Sequence, residues 1–68
     1  MKEFGKRLAL LRAEKGLTRK QTAELLGVST RLVCYWENGE RECGFEMLIK
    51  LCALFNVSAD YLLGITDY

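Results

Sequence analysis

The sequence predicts an all-α fold, a compact bundle of five short helices, on three observations. Apolar residues recur three and four apart, and the alternating pattern of a half-buried strand is absent. Gly16, Gly27, Gly39 and Gly64 each follow such a run, where a left-handed residue past a helix end belongs, and Asn56 holds the same place after its own run. Hydroxyl residues open several of the runs, as helix caps do.

The first helix is expected from Lys2 to Lys15, with Phe4, Leu8 and Leu11 on one face. The second begins at Thr18, where T-x-x-Q (Thr18 to Gln21) forms a capping box, and ends at Leu26. Ser29 caps the third, which stops near Asn38, with Val28 and Val33 placed as a hydrophobic staple. The fourth, Phe45 to Phe55, carries Leu48, Leu51, Cys52 and Phe55 inward. The fifth, Ala59 to Leu63, has Ser58 as cap and Val57 with Leu62 as staple. In "LLGVSTRLVCYWENG" one helix halts at Gly27 and the next starts at Ser29. Helices joined so tightly cannot run antiparallel, so they cross steeply and the second stands proud of the surface.

The 68 residues form one domain, 1–68, with no proline and no linker. At this size folding buries only about 60% of the unfolded surface, so the core has little to spare. No apolar run approaches a membrane span and no signal peptide opens the chain, which makes the cytoplasm the expected location. Cys34, Cys43 and Cys52 are odd in number and nine residues apart, and the chain has no His. They fit neither a complete disulfide set nor a zinc site, and they read as reduced thiols with Cys52 in the core. No metal, cofactor or small-molecule ligand is called for. With no His, no phosphate-binding glycine loop and no Cys beside a basic partner, an enzyme is not expected.

Net charge is only +1, but it is unevenly placed. Through residue 41 nine cations (Lys2, Lys6, Arg7, Arg12, Lys15, Arg19, Lys20, Arg31, Arg41) face five acids, a surplus of +4. Beyond it only Lys50 faces Glu42, Glu46, Asp60 and Asp67, a balance of −3. Such a dipole orients a protein toward a polyanion even when the total is near zero.

Residues 18 to 39 resemble the helix-turn-helix of the phage repressor and Cro family, often called Xre-like. Ala23 is small where the second and third helices meet, Gly27 permits the turn, and Leu26, Val28, Val33 and Trp36 fill the angle. The resemblance extends along the chain: "LLRAEKGLT" is similar to the family's first-helix ending, "WENGER" to its third-helix exit, and "NVSADYLLG" to its closing helix. Five positions depart from it. Thr22 stands where a larger aliphatic is usual, Arg19 where Gln is common, Cys43 where proline is usual, Gly44 where a capping side chain would sit, and Leu10 where a charged residue is usual. The second helix and the "ERECG" stretch are therefore expected to be less firmly held.

The resemblance implies a lambda-repressor-like DNA-binding domain that reads double-stranded DNA with its third helix in the major groove. Base contacts are implied for Thr30, Arg31 and Tyr35, of which Arg31 is suited to guanine through a bidentate bond. Phosphate contacts are expected at Thr18, Arg19, Lys20, Asn38 and Arg41, where helix N-termini and cations favour an anion. Arg12 and Glu37 match a family pair that forms a partly buried salt bridge. A transcriptional regulator, expected to repress, is implied, binding as a homodimer to a palindromic operator. Phe55, Val57 and Tyr61 are near candidates for the dimer contact, with a place in the core as the alternative for each and the favoured one for Val57. "LLGITDY" resembles the place where many relatives continue into a further segment. A protein-interaction module, such as an antitoxin on the same scaffold, is the alternative, and it predicts an apolar or acidic outer face on the third helix.

Overall fold

Five helices pack around one core in the computed structural model, which describes residues 2–67: α1 (Lys2–Glu14), α2 (Arg19–Leu26), α3 (Thr30–Glu37), α4 (Phe45–Phe55) and α5 (Ala59–Leu63). The helix boundaries agree with the sequence reading, except that α1 stops one residue short of Lys15. Its end is closed by backbone bonds from Gly16 to the Ala13 carbonyl and from Leu17 to the Arg12 carbonyl.

Local chemistry sets the junction that matters most. Thr18 Oγ1 accepts from the Gln21 amide at 3.0 Å, while Gln21 Oε1 accepts from the Thr18 amide at 2.8 Å. This reciprocal pair satisfies two N–H groups that the first turn of α2 would otherwise leave open. At the other end Gly27 adopts φ 74°, a conformation that costs a residue with a Cβ. The Val28 amide then closes on the Ala23 carbonyl at 3.0 Å, and Ser29 Oγ accepts from the Leu32 amide at 3.1 Å to start α3. The chain thus leaves one helix and enters the next within three residues. Helix α4 is capped less well, because Gly44 offers no side-chain acceptor.

The core takes a stripe from every helix. Phe4 and Leu8 meet Ala23 and Leu26, Val33 and Trp36, Leu51 and Phe55, and Leu62. Each large side chain buried this way contributes about 1.5–3 kcal/mol from removal of apolar surface. Thr22 is also fully buried, and its hydroxyl donates to the Thr18 carbonyl at 3.0 Å, so the polar atom is not stranded.

One expectation about the core and one about the dimer contact need correction. Leu48 and Cys52 are half-buried, packed against the core rather than within it, because Leu51 and Phe55 occupy the centre of the α4 face. Phe55 is 8% exposed and lies in the core, so it offers no side chain to a second molecule. Among the described residues the three cysteines are free, no group of acids and thiols is placed to hold a metal, and no helix is long and apolar enough to cross a membrane.

Gly5 supplies a close approach that the sequence reading did not single out. It is buried mid-helix in α1, and a Cβ there would fall 2.5 Å from the Trp36 carbonyl oxygen and 2.7 Å from that of Glu37. Only the bare backbone of a glycine lets α1 lie this close to the end of α3.

Candidate nucleic-acid interface

Helix α3 divides cleanly into two faces. Val33 and Trp36 point into the core, at 0% and 2% exposure. Thr30 and Arg31, in the first turn, are exposed, whereas Cys34 and Tyr35 are half-buried. Arg31 meets no acid among the described residues, so its guanidinium is open to solvent. The N-terminal turn of α2 lies alongside, with Thr18, Arg19 and Lys20 exposed. Thr18 has committed its oxygen as an acceptor to the cap, yet a hydroxyl keeps its own proton to donate.

Tyr35, expected at a base, and Arg41, expected at a phosphate, are brought together. The Arg41 guanidinium sits over the Tyr35 ring at 5.0 Å from its centre, a cation–π contact that orients both groups. The amides of Glu40 and Arg41 also bond to the Tyr35 carbonyl, at 2.8 and 3.3 Å, folding the chain back after Gly39. Asn38 lies at this exit, exposed, with its side-chain amide donating to Glu40 Oε1 at 3.2 Å.

Beneath α3 a buried carboxylate ties three helices. The Glu37 side chain is 2% exposed. Arg12 Nε donates to its Oε2 at 2.6 Å and Arg12 Nη2 to its Oε1 at 3.2 Å, while Arg12 Nη1 donates to the Leu17 carbonyl at 2.9 Å. Arg19 Nε reaches the same Oε1 at 3.0 Å. The hydrogen bond and charge of Glu37 push the Arg19 pKa further up, and its guanidinium also lies beside the Cys34 sulfur. Arg19 was expected at a phosphate alone; the structure places it as a second cation on Glu37, with its side chain 48% exposed. Nothing in the local sequence signals this, because residues 19 and 37 meet only when α2 crosses α3.

The basic surplus of the first half is also smaller at the surface than in the sequence. Arg7 is turned inward against the C-terminal segment. It donates to the carbonyls of Tyr61, at 2.7 Å, and Thr66, pairs with Asp67 at 3.3 Å, and lies over the Tyr61 ring at 4.5 Å from its centre. With Arg12 engaged by Glu37, the exposed cations of this half that the structure describes are Lys6, Lys15, Arg19, Lys20, Arg31 and Arg41. Tyr61, expected at a dimer contact, is half-buried and serves as the platform for Arg7.

Cys34 thus has a basic neighbour that the sequence reading did not expect, while Cys43 and Cys52 lie away from α3. Burial pushes the Cys43 and Cys52 thiols up from their ordinary range, which leaves less of the reactive thiolate near neutral pH.

Known proteins share this arrangement. A family profile described as helix-turn-helix matches residues 8–62. The HTH-type transcriptional regulator ImmR of Bacillus subtilis is 42% identical over 90% of this chain, and the match covers 48% of ImmR. A transcriptional regulator from Listeria innocua superposes with a TM-score of 0.85 at 44% identity, over 90% of this chain and 57% of that one. The P22 c2 repressor, solved in complex with a synthetic operator, superposes with a TM-score of 0.84 at 27% identity, over 91% of this chain and 94% of that one. The chain thus spans about half the length of curated relatives such as ImmR. The first-turn cap, the glycine turn and the apolar angle of Leu26, Val33 and Trp36 account for the likeness physically. On the match across residues 8–62 and on these superpositions, the chain belongs to the helix-turn-helix family of the phage repressor and Cro type.

Proposed function

We propose that this chain is the DNA-binding domain of a cytoplasmic transcriptional regulator, a repressor that acts as a homodimer on a palindromic operator. The observation that carries the reading is the shared surface of two helix N-termini, α2 and α3, which holds Arg31 and Lys20 without acid partners among the described residues. A helix N-terminus presents unpaired N–H groups and the positive end of a dipole, and added cations make it a surface for phosphates.

In this reading α3 enters the major groove, with Thr30, Arg31 and Tyr35 against base edges. Arg31 sits in the first turn, where a side chain reaches the groove floor, and bonds guanine O6 and N7. Thr30 meets a thymine methyl or a phosphate. Tyr35, held under Arg41, presents its ring edge and hydroxyl from a fixed position. Thr18, Lys20, Asn38 and Arg41 hold the phosphates, and Arg19 does so from its anchored place on Glu37. Arg12 and Glu37 act as structural partners that hold α1 against the end of α3. The single unit comprises residues 1–68.

One such helix reads too few base pairs for useful specificity, which is why two copies and two half-sites about one helical turn apart are part of the proposal. Titrating a duplex selected from a random pool at increasing salt tests it. With about 6 phosphate contacts per dimer, the log–log slope of affinity against salt lies near −5. A slope near zero on every duplex would overturn the reading.

A further inference from the structure

The outer face of α4 carries apolar surface that neither the core nor the DNA reading uses. Phe45 is 86% exposed and Ile49 69% exposed, and Ala53 follows them, also exposed. These positions are four residues apart, so they form one ridge along the helix. Glu46 and Lys50, both exposed, flank the ridge on one side. Lys50 is the only cation beyond residue 41.

We infer that two copies of this chain pair through this ridge, α4 against α4 in antiparallel array about a two-fold axis at Ile49. The assignment deepens the proposed function and rests on its statement that the chain works in pairs. Three features select a second copy over another occupant. Phe45 and Ala53 lie four residues to either side of Ile49, so antiparallel pairing sets the large ring of one copy over the small methyl of the other, twice. The ring then fills space that a larger residue at 53 would block, while Ile49 meets its own counterpart. Charge agrees with the same register. In an antiparallel pair, flanks of the same side face each other, and Glu46 of one copy comes opposite Lys50 of the other, again twice. A parallel pair would bring neither match.

The surface is small. A helix of 11 residues is about 16 Å long at about 1.5 Å per residue, and one face of it falls short of the roughly 800 Å² per partner of a standard interface. The free protein is therefore a weak, concentration-dependent dimer, which adjacent half-sites consolidate.

Sedimentation equilibrium in reducing buffer, from about 10 µM to about 1 mM, reads the pairing without DNA. It therefore stays informative whatever the salt titration shows. Reversible dimerisation is expected. Glu46→Lys and Lys50→Glu each place like charges opposite one another and weaken the dimer by about tenfold, while the double variant, with both charges exchanged, returns to within about threefold of the original. Phe45→Ser weakens it further, and circular dichroism checks that each variant remains helical. A monomer throughout the range overturns the inference. So does a dimer indifferent to Phe45→Ser, or charge variants whose combination fails to restore pairing.

Discussion

Replacing Glu37 by Gln keeps the shape of the side chain and removes the charge that two arginines share. The cost can be worked from the geometry. Breaking a buried ion pair from one side costs about 3–5 kcal/mol, because the remaining charge loses its compensation. Arg12 is the stranded partner, with a side chain 17% exposed and one bond retained to the Leu17 carbonyl, so the value belongs at the lower end, about 3 kcal/mol. A domain of 68 residues has a total stability of about 3–10 kcal/mol, so this is a large fraction of it. At about 4–8 °C per kcal/mol for a domain this small, the melting temperature falls by about 12–24 °C. Trp36, the single tryptophan and 2% exposed, reports unfolding by its fluorescence. A second arm tests the sharing itself. Arg12→Ala leaves Glu37 with Arg19, and Arg19→Gln leaves it with Arg12, but the double variant leaves the buried carboxylate alone. The double loss should therefore exceed the sum of the single losses. A Glu37→Gln loss below about 1 kcal/mol, or strict additivity of the two arginine variants, would refute the account.

Gly5→Ala ordinarily gains helix propensity, yet here its methyl meets the Trp36 and Glu37 carbonyl oxygens. The urea midpoint should fall by the equivalent of about 1–3 kcal/mol of overpacking, and an unchanged or higher midpoint would contradict the close approach. The raised pKa values of Cys43 and Cys52 mean that the folded chain holds these protons more tightly than the unfolded one. Their contribution to stability is complete below the ordinary thiol value of 9.0 and is lost as pH rises through the folded values. Urea midpoints of the native chain should therefore drop above pH 9.0 by more than those of a Cys43→Ala/Cys52→Ala variant. Equal drops would assign the effect to other groups. Arg31→Gln should relax preference at one base position per half-site, worth about 1–3 kcal/mol, whereas Lys20→Gln lowers affinity evenly across sequences. Selection from a random duplex pool separates the two, and a uniform loss for Arg31→Gln would show that it reads no base.

What the sequence determined by itself is local in origin. A helix end is chosen within a few residues, so the Thr18–Gln21 box, Gly27, Ser29 and Ser58 were legible as caps and turns, and the helix spans followed from them. The inward faces of α1 and α3 were equally legible, since a helix of regular period fixes which side chains share a side. Arg12 and Glu37 were paired only through family resemblance, because nothing local joins positions 25 apart. Tertiary structure alone decided the rest. Arg7 and Arg41 look alike as letters, but one is drawn to the Tyr61 and Thr66 carbonyls and the other lies over Tyr35. Arg19 became a partner of Glu37 because the steep crossing of α2 and α3 brings two distant positions together. Gly5 carries no signal in the sequence, and its role exists only because α3 ends against it. Phe45 and Phe55 are the same residue at the two ends of α4, one 86% and the other 8% exposed. The helical period separates their faces, and only the packing of α4 against the core determines which face is left for water.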